Sequence, residues 1–468
     1  MREYRLLGID CGLTNVKAVV FDACGNALVS AARHTPPAEK SIDATALWEA
    51  ACDCIREVCA GHEIAAAGIC GHGNGLYALD SDGKVLCALP PMGGAQAEAA
   101  LSDETEFFRI TRQNPWAGQP MQLLRRVKAE SEDIYARVAC VLHCKDYIRY
   151  RLTGDLYTDY SDASASALLD AQKGVYADEL FHINGLGAPR GVFPPLLRGY
   201  DVAGCVTHKA SALTGLKQGT PVAAGLIDLD ACRIGAGVTM PGQVSVTAGT
   251  WAIATAPTNK LIDARCITQN CFSFDPAARI AVVSAPVSCV NLDWFLARFM
   301  PGVSYNEAER IASDAAKEQS VIYLPYLYRD MARPKREAAF IGMTPDTTAA
   351  QMLRAVYEGV LFAHMDQLRR LKKAGVPASS VRLSGGAAHS AFWRQLFADG
   401  FGLPVETTHE AQVGALGAAI MAACACNIYP NVSDAAAHMV KPEQATLPRG
   451  ADLFETQFSR FMELAGEV

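Results

Sequence analysis

Charge is scarce in this chain. Lysine, arginine, aspartate and glutamate make up only 19% of 468 residues, and acidic residues outnumber basic ones by 49 to 42, for a net charge of −7. The missing basic surplus argues against nucleic acid and anionic membrane as partners, because both are held by positive surfaces. Long apolar runs are missing too. The longest, Val413 to Cys426, contains two glycines and falls short of the roughly 20 residues that span a bilayer. Met1 to Arg5 lead directly into a strand pattern without the apolar stretch of a secretion signal, so a soluble, cytoplasmic protein is expected. Nothing in the composition resembles a disordered tail. Cysteines number 16, yet no two have the C-x-x-C spacing of zinc ribbons or redox motifs. Most stand among small apolar residues, as in Ala139-Cys140-Val141, and read as reduced, buried thiols.

What is present is apolar: half of all residues. Over this length that predicts two domains of roughly 200 residues or more, with a ligand cleft between them. The most informative segment is Leu6 to Asp22, where the apolar runs Leu6 to Ile9 and Val16 to Phe21 flank a short turn. The runs suit buried strands, and Gly12 permits a tight hairpin. Around the turn stand Asp10, Thr14 and Lys17, placed for a nucleotide phosphate and, at Asp10, for Mg²⁺ held through water. An ordinary hairpin with a polar tip fits the segment as well.

Further along, Ile64 to Ile69 predicts a strand ending in Gly71-His72-Gly73-Asn74-Gly75, where backbone approaches a ligand closely or simply turns. Residues 103–155 read as mainly helical, and Ala203 to Ala224 as strand, loop and strand. Pro221 to Ile227 then runs an apolar strand into Asp228 at a helix start. Asp228 is the candidate general base; Asp230 is its rival, or a helix N-cap. Gln243 to Ala254 repeats the opening hairpin around Gly249 and Thr250, which points to an internal duplication and a boundary near residue 240. Thr347 to Leu371 carries a helical apolar stripe capped by Thr347 or Thr348. Val381 to Ser384 ends in Gly385 and Gly386, backbone against which a purine can lie. The small residues of Gly414 to Ala419 predict a helix that packs close to its neighbours.

Taken in order, Gly8-Ile9-Asp10-Cys11-Gly12-Leu13-Thr14, Gly225-Leu226-Ile227-Asp228, Ala248-Gly249-Thr250-Trp251 and Ser384-Gly385-Gly386-Ala387 resemble the FGGY family of carbohydrate kinases. Lys145-Asp146-Tyr147 with Arg151-Leu152-Thr153-Gly154, Thr158 to Ser164, Leu324 to Leu327 and Phe340 to Met343 extend the likeness over essentially the whole chain. Each motif is weak alone; their order carries the resemblance.

The resemblance implies an α/β protein with two ribonuclease H-like domains of the actin-like ATPase type around a central cleft. Residues 1–240 would bind the sugar and carry the base, and residues 241–468 would bind ATP. It implies ATP and Mg²⁺, with Asp228 as base and Asp10 holding the metal. Gly12, Thr14, Asn15 and Lys17 would serve the phosphates from one side, and Gly249 and Thr250 the γ-phosphate from the other. Gly385, Gly386, Ala387 and Ser390 would line the adenosine pocket. The sugar would lie near Asn74 and His72, with Asp228 reaching toward its terminal hydroxyl and Trp116 either stacking on it or filling the core. His143 and His364 receive no role. Thr111 to Pro120 and Asn291 to Phe295 resemble the L-xylulose kinase branch, so the substrate expected is a ketopentose, L-xylulose first. D-xylulose or another pentulose or polyol, and a non-catalytic ATP-dependent sugar clamp, are the alternatives. The clamp draws on Pro90 to Gln96, which stands where many relatives carry an Asp-Arg pair. A homodimer is the assembly to test.

Overall fold

The computed structural model describes residues 4–36, 40–92, 101–315, 321–328, 336–450 and 454–466. Its opening pattern folds as a meander of β1 (Arg5–Cys11), β2 (Asn15–Asp22) and β3 (Ala27–His34). Helix α1 (Ala44–Cys59) then carries the chain back to β4 (Ala66–Gly71), parallel to β1. Helices α2 (Cys144–Thr153) and α3 (Tyr160–Ala165) precede β5 (Val202–Cys205), β6 (Pro221–Ala223) and β7 (Leu226–Ile227). The sheet order is β5-β6-β4-β1-β2-β3, with β7 also on β4. Between β5 and β6 the sequence predicted only a loop. A helix, His208–Thr214, forms there because Thr207 caps its start and Gly215, with φ of 73°, ends it in the left-handed region.

Helix α4 (Asp228–Gly235) leads into the second half. There β8 (Gly242–Ala248), β9 (Ala252–Thr258), β10 (Gln269–Phe272) and β11 (Arg279–Ala285) are joined by β12 (Ala378–Ser384) and β13 (Val405–Glu406). Their order is β10-β11-β9-β8-β12-β13. In both sheets an antiparallel hairpin has its first strand paired on the other side with a later parallel strand, β4 on β1 and β12 on β8. This common topology is the duplication expected from the two hairpins. Helix α5 (Ala349–Lys373), started by a Thr348–Gln351 capping box, lays its apolar stripe on the second sheet. Helix α6 (Ala391–Phe401) follows β12.

Chain order and packing part company in α7 (Val413–Ala425) and α8 (Val432–Met439), which cluster with the first sheet. Strand alternation explains how. Leu7, Ile9 and Cys11 face the cluster containing α1, whereas Leu6 faces the one containing α7. On that second face the strands present Gly8 and Gly68, where a Cβ would overlap the carbonyls of Ala415 and Ala418. Small residues on strand and helix therefore let α7 sit directly on the sheet. All 16 cysteines are free; Cys24 and Cys205 are exposed, against the expectation of burial. No described helix is long and apolar enough to cross a membrane.

Candidate active site

Asp10 is the next-to-last residue of β1, on the face that meets α7. Its Oδ2 lies so near Gly414, in the first turn of α7, that a Cβ there would stand 2.7 Å from it. A carboxylate is favoured beside a helix N-terminus. Burial nonetheless raises its pKa above the usual carboxylate value, and Lys17, its register partner on β2, pulls the other way. The β1–β2 tip is closed by Gly12, whose N–H donates to the Asn15 carbonyl at 2.9 Å. Thr14 stands exposed, its Oγ1 accepting from the Asn15 side chain.

Asp228 is the first residue of α4, and its Oδ1 accepts from the Leu229 N–H at 2.6 Å. Burial and the nearby Asp10 charge push its pKa up to about 7, against the pull of His72. A carboxylate tuned to that range is a base at neutral pH. Asp230, by contrast, is fully buried inside the helix, with Arg233 Nε at 2.7 Å and the Ser273 hydroxyl at 2.6 Å donating to it. Both its carboxylate oxygens are engaged, and it stands inside the helix, whose N-cap is Ile227.

His72 and Asn74 follow β4. The His72 Nε2 meets the Tyr77 hydroxyl at 3.2 Å, while its Nδ1 and the Asn74 Oδ1 are buried without a hydrogen-bond partner. Burial opposes a charge on the ring, but the Cys144 sulfur and Asp228 lift its pKa above the ordinary value. Asn74 adopts φ of 59°, a left-handed backbone that asparagine tolerates better than most residues. Gly75 N–H bonds the Gly118 carbonyl at 3.2 Å, and the Trp116 ring rests over Gly118. Trp116 is half-buried and outside the apolar clusters. The wall thus offers two polar atoms that lack partners, as a site for hydroxyls does. Of the segment Pro90 to Gln96, residues 93–96 lie outside the described residues.

On the second sheet, Gly249 and the exposed Thr250 form the β8–β9 tip, where the Cys289 N–H donates to the Gly249 carbonyl at 2.9 Å. Gly385, with φ of 85°, packs on the Ala248 carbonyl, and beside Gly386 lies open space. Ala387 sends its methyl into the second core, leaving only backbone for a ligand. Ser390 caps α6 by accepting from Trp393 N–H at 3.0 Å. His364 is buried, its Nε2 at 3.0 Å from the Ser288 hydroxyl.

Behind the His72–Asn74 wall lies a charge network to which the sequence reading gave no role. Lys145 Nζ sits 2.6 Å from Asp146, 2.8 Å from Asp159 and 3.4 Å from Asp162, all without exposure, and Arg149 stands 2.8 Å from Asp146. Burial raises the Asp162 pKa to about 6 despite His143 and Lys145. Three carboxylates face two permanent cations, and His143, 3.2 Å from Asp146, has its own pKa raised by Asp162 and Asp146 against burial. In the sequence the network's members stand among other polar residues, Lys145-Asp146 near Arg149 and Arg151, and Asp159 and Asp162 among Thr158, Ser161 and Ser164, so no local pattern marked them as buried. Lys145→Ala leaves those carboxylates uncompensated and is expected to cost about 3–5 kcal/mol, read by chemical denaturation.

Two family models cover nearly all of the chain. Residues 5–235 match the N-terminal domain of the FGGY family of carbohydrate kinases, and residues 244–426 match its C-terminal domain. The chain belongs to the FGGY family of carbohydrate kinases. Among its relatives, L-xylulose/3-keto-L-gulonate kinase of Escherichia coli is 30% identical, with 98% of this chain and 96% of the relative covered. A probable L-xylulose kinase of Haemophilus influenzae is 31% identical over 89% of each. In fold, the ligand-bound xylulose kinase of Lactobacillus acidophilus superposes with a TM-score of 0.90 over 99% of this chain and 98% of that one, at 20% identity. This FGGY kinase is an ATP-dependent sugar kinase with the two-domain, actin-like fold, and its substrate is a small-molecule sugar.

Proposed function

We propose that this kinase transfers the γ-phosphoryl group of ATP to a terminal hydroxyl of a ketopentose, L-xylulose in the first place, in the cytoplasm. The observation that carries the reading is Asp228, a carboxylate lifted to about 7 beside a polar wall with two unpartnered atoms. The relatives named for L-xylulose support the choice of sugar. In this reading residues 1–240 hold the sugar and the base, and residues 241–468 supply most ATP contacts.

His72 Nδ1 and Asn74 Oδ1 orient sugar hydroxyls, with Trp116 against a sugar face. Asp228 takes the proton of the acceptor hydroxyl as that oxygen bonds to the γ-phosphorus; the bond to the β–γ bridging oxygen breaks and ADP leaves. Gly12, Thr14, Asn15 and Lys17 line one side of the phosphates, Gly249 and Thr250 the other. Gly385, Gly386, the Ala387 backbone and Ser390 border the base and ribose. Mg²⁺ fits beside Asp10, since the Asp10 and Asp228 charges repel where a divalent cation would relieve them. When bound it neutralises phosphate charge.

A panel of ketopentoses, pentitols, tetritols and glycerol, assayed for ADP release with Mg²⁺ and ATP, tests the reading. L-xylulose is expected to give the highest kcat/KM, well above D-xylulose. ADP release that no member stimulates overturns it.

A further inference from the structure

We propose that Ser161 is a positioning residue for Asp228, and that α3 is the strut through which the second sheet steadies the base. The inference rests on Asp228 acting as the base.

Helix α4 begins without a side-chain cap: its N-cap, Ile227, offers no hydrogen-bonding side chain. The N–H of Ile227, the residue before the base, is instead taken by Ser161 Oγ at 3.0 Å. Ser161 is fully buried, so the hydroxyl that holds this turn is shielded from water. Its own position is set from below. The Asp159 carboxylate caps the first turn of α3, accepting from Ser161 N–H at 2.7 Å, and Lys145 Nζ fixes that carboxylate at 2.8 Å. A chain of contacts, those of Asp159 charge-assisted, thus runs from Lys145 through Asp159 and Ser161 to the backbone of Ile227, the residue before the base.

The other end of this six-residue helix grips the second half of the molecule. Ser164 Oγ accepts from Phe272 N–H at 3.0 Å, and Gln269 Nε2 donates to the Ala165 carbonyl at 3.0 Å, both from β10. The Ile227 side chain packs with Cys271, Ile280 and Val282 of β10 and β11. The turn that presents Asp228 is therefore held on one side by Ser161 and on the other by the sheet that carries the ATP contacts. A carboxylate displaced by even a fraction of an ångström loses its alignment with the acceptor hydroxyl.

Ser161→Ala is expected to lower kcat roughly tenfold while leaving KM for ATP and sugar within about twofold, and Ser161→Thr, which keeps the hydroxyl, to restore most of the rate. Should the alanine variant fold poorly, Ser161→Cys, similar in size but a weaker acceptor, is expected to fall between it and the wild type. Rates are normalised to folded protein by circular dichroism. A wild-type kcat in Ser161→Ala, or no recovery in Ser161→Thr, overturns the proposal. Asp228→Asn run alongside separates the two levels: if it is dead while Ser161→Ala is normal, only the positioning role falls; if both are fully active, the assignment of the base falls.

Discussion

Asp228→Asn is expected to cut sugar-dependent ADP release by roughly 10³-fold, measured at saturating ATP and sugar. The amide keeps the shape of the side chain and its bond from Leu229 N–H, yet it cannot accept the hydroxyl proton. Two further readouts separate a lost base from a damaged fold. In the wild type, activity should rise with pH around a midpoint near 7 if Asp228 is the base, because a base works only when ionised and this carboxyl is pushed up to about 7 by burial and Asp10. The residual activity of the variant should lack that limb. Stability should move in the opposite sense. A carboxylate whose folded pKa exceeds its unfolded value favours the fold fully below about 4, and that contribution is lost as pH rises through 7. The variant and the wild type should therefore melt alike near pH 4, and the variant should melt higher at pH 8. A wild-type rate in Asp228→Asn overturns the assignment.

Gly417→Val is expected to damage the fold severely, costing about 3 kcal/mol or more and taking activity with it. Gly417 lies on the face of α7 turned to α4, and a Cβ there would overlap the Ala231 carbonyl, three residues beyond Asp228. Backbone cannot swing aside as a side chain does, so α7 and α4 must separate. Gly235 of α4 meets the Val413 carbonyl in the same manner, so no slack exists on the other side of the contact. Thermal melting with far-ultraviolet circular dichroism checks the stability. For a chain of 468 residues a loss of about 3 kcal/mol lowers the midpoint by roughly 3 °C or more, so a Gly417→Val protein that melts at the wild-type temperature contradicts the close-packed account of this seam.

Both hairpins were legible because each pairs two apolar strands across a glycine-bearing tip, a short-range signal. The capped start of α5 was legible for the same reason. The close packing of Gly414 to Ala419 was also expected, but not its location: small residues say that a helix comes near something, not that it crosses back to the first sheet. Asp228 stood out at the end of an apolar strand, whereas the sequence alone left Asp230 as a rival. The distinction comes from Arg233 and Ser273, one of them 43 residues away. The helix at His208–Thr214 was missed because its seven residues carry too short a period to read. The hydrogen bond from Ile227 to Ser161 spans 66 residues, and no local pattern encodes it. The Lys145 network was not legible, because its members stand among other polar residues and its closure onto Asp159 and Asp162 is a tertiary fact.

The most direct test of the account is phosphorus NMR of the purified protein with ATP, Mg²⁺ and L-xylulose. The account predicts one new phosphomonoester resonance growing in step with ADP, one sugar phosphate for each ATP consumed. ADP accompanied only by inorganic phosphate, or no loss of ATP at all, would contradict it.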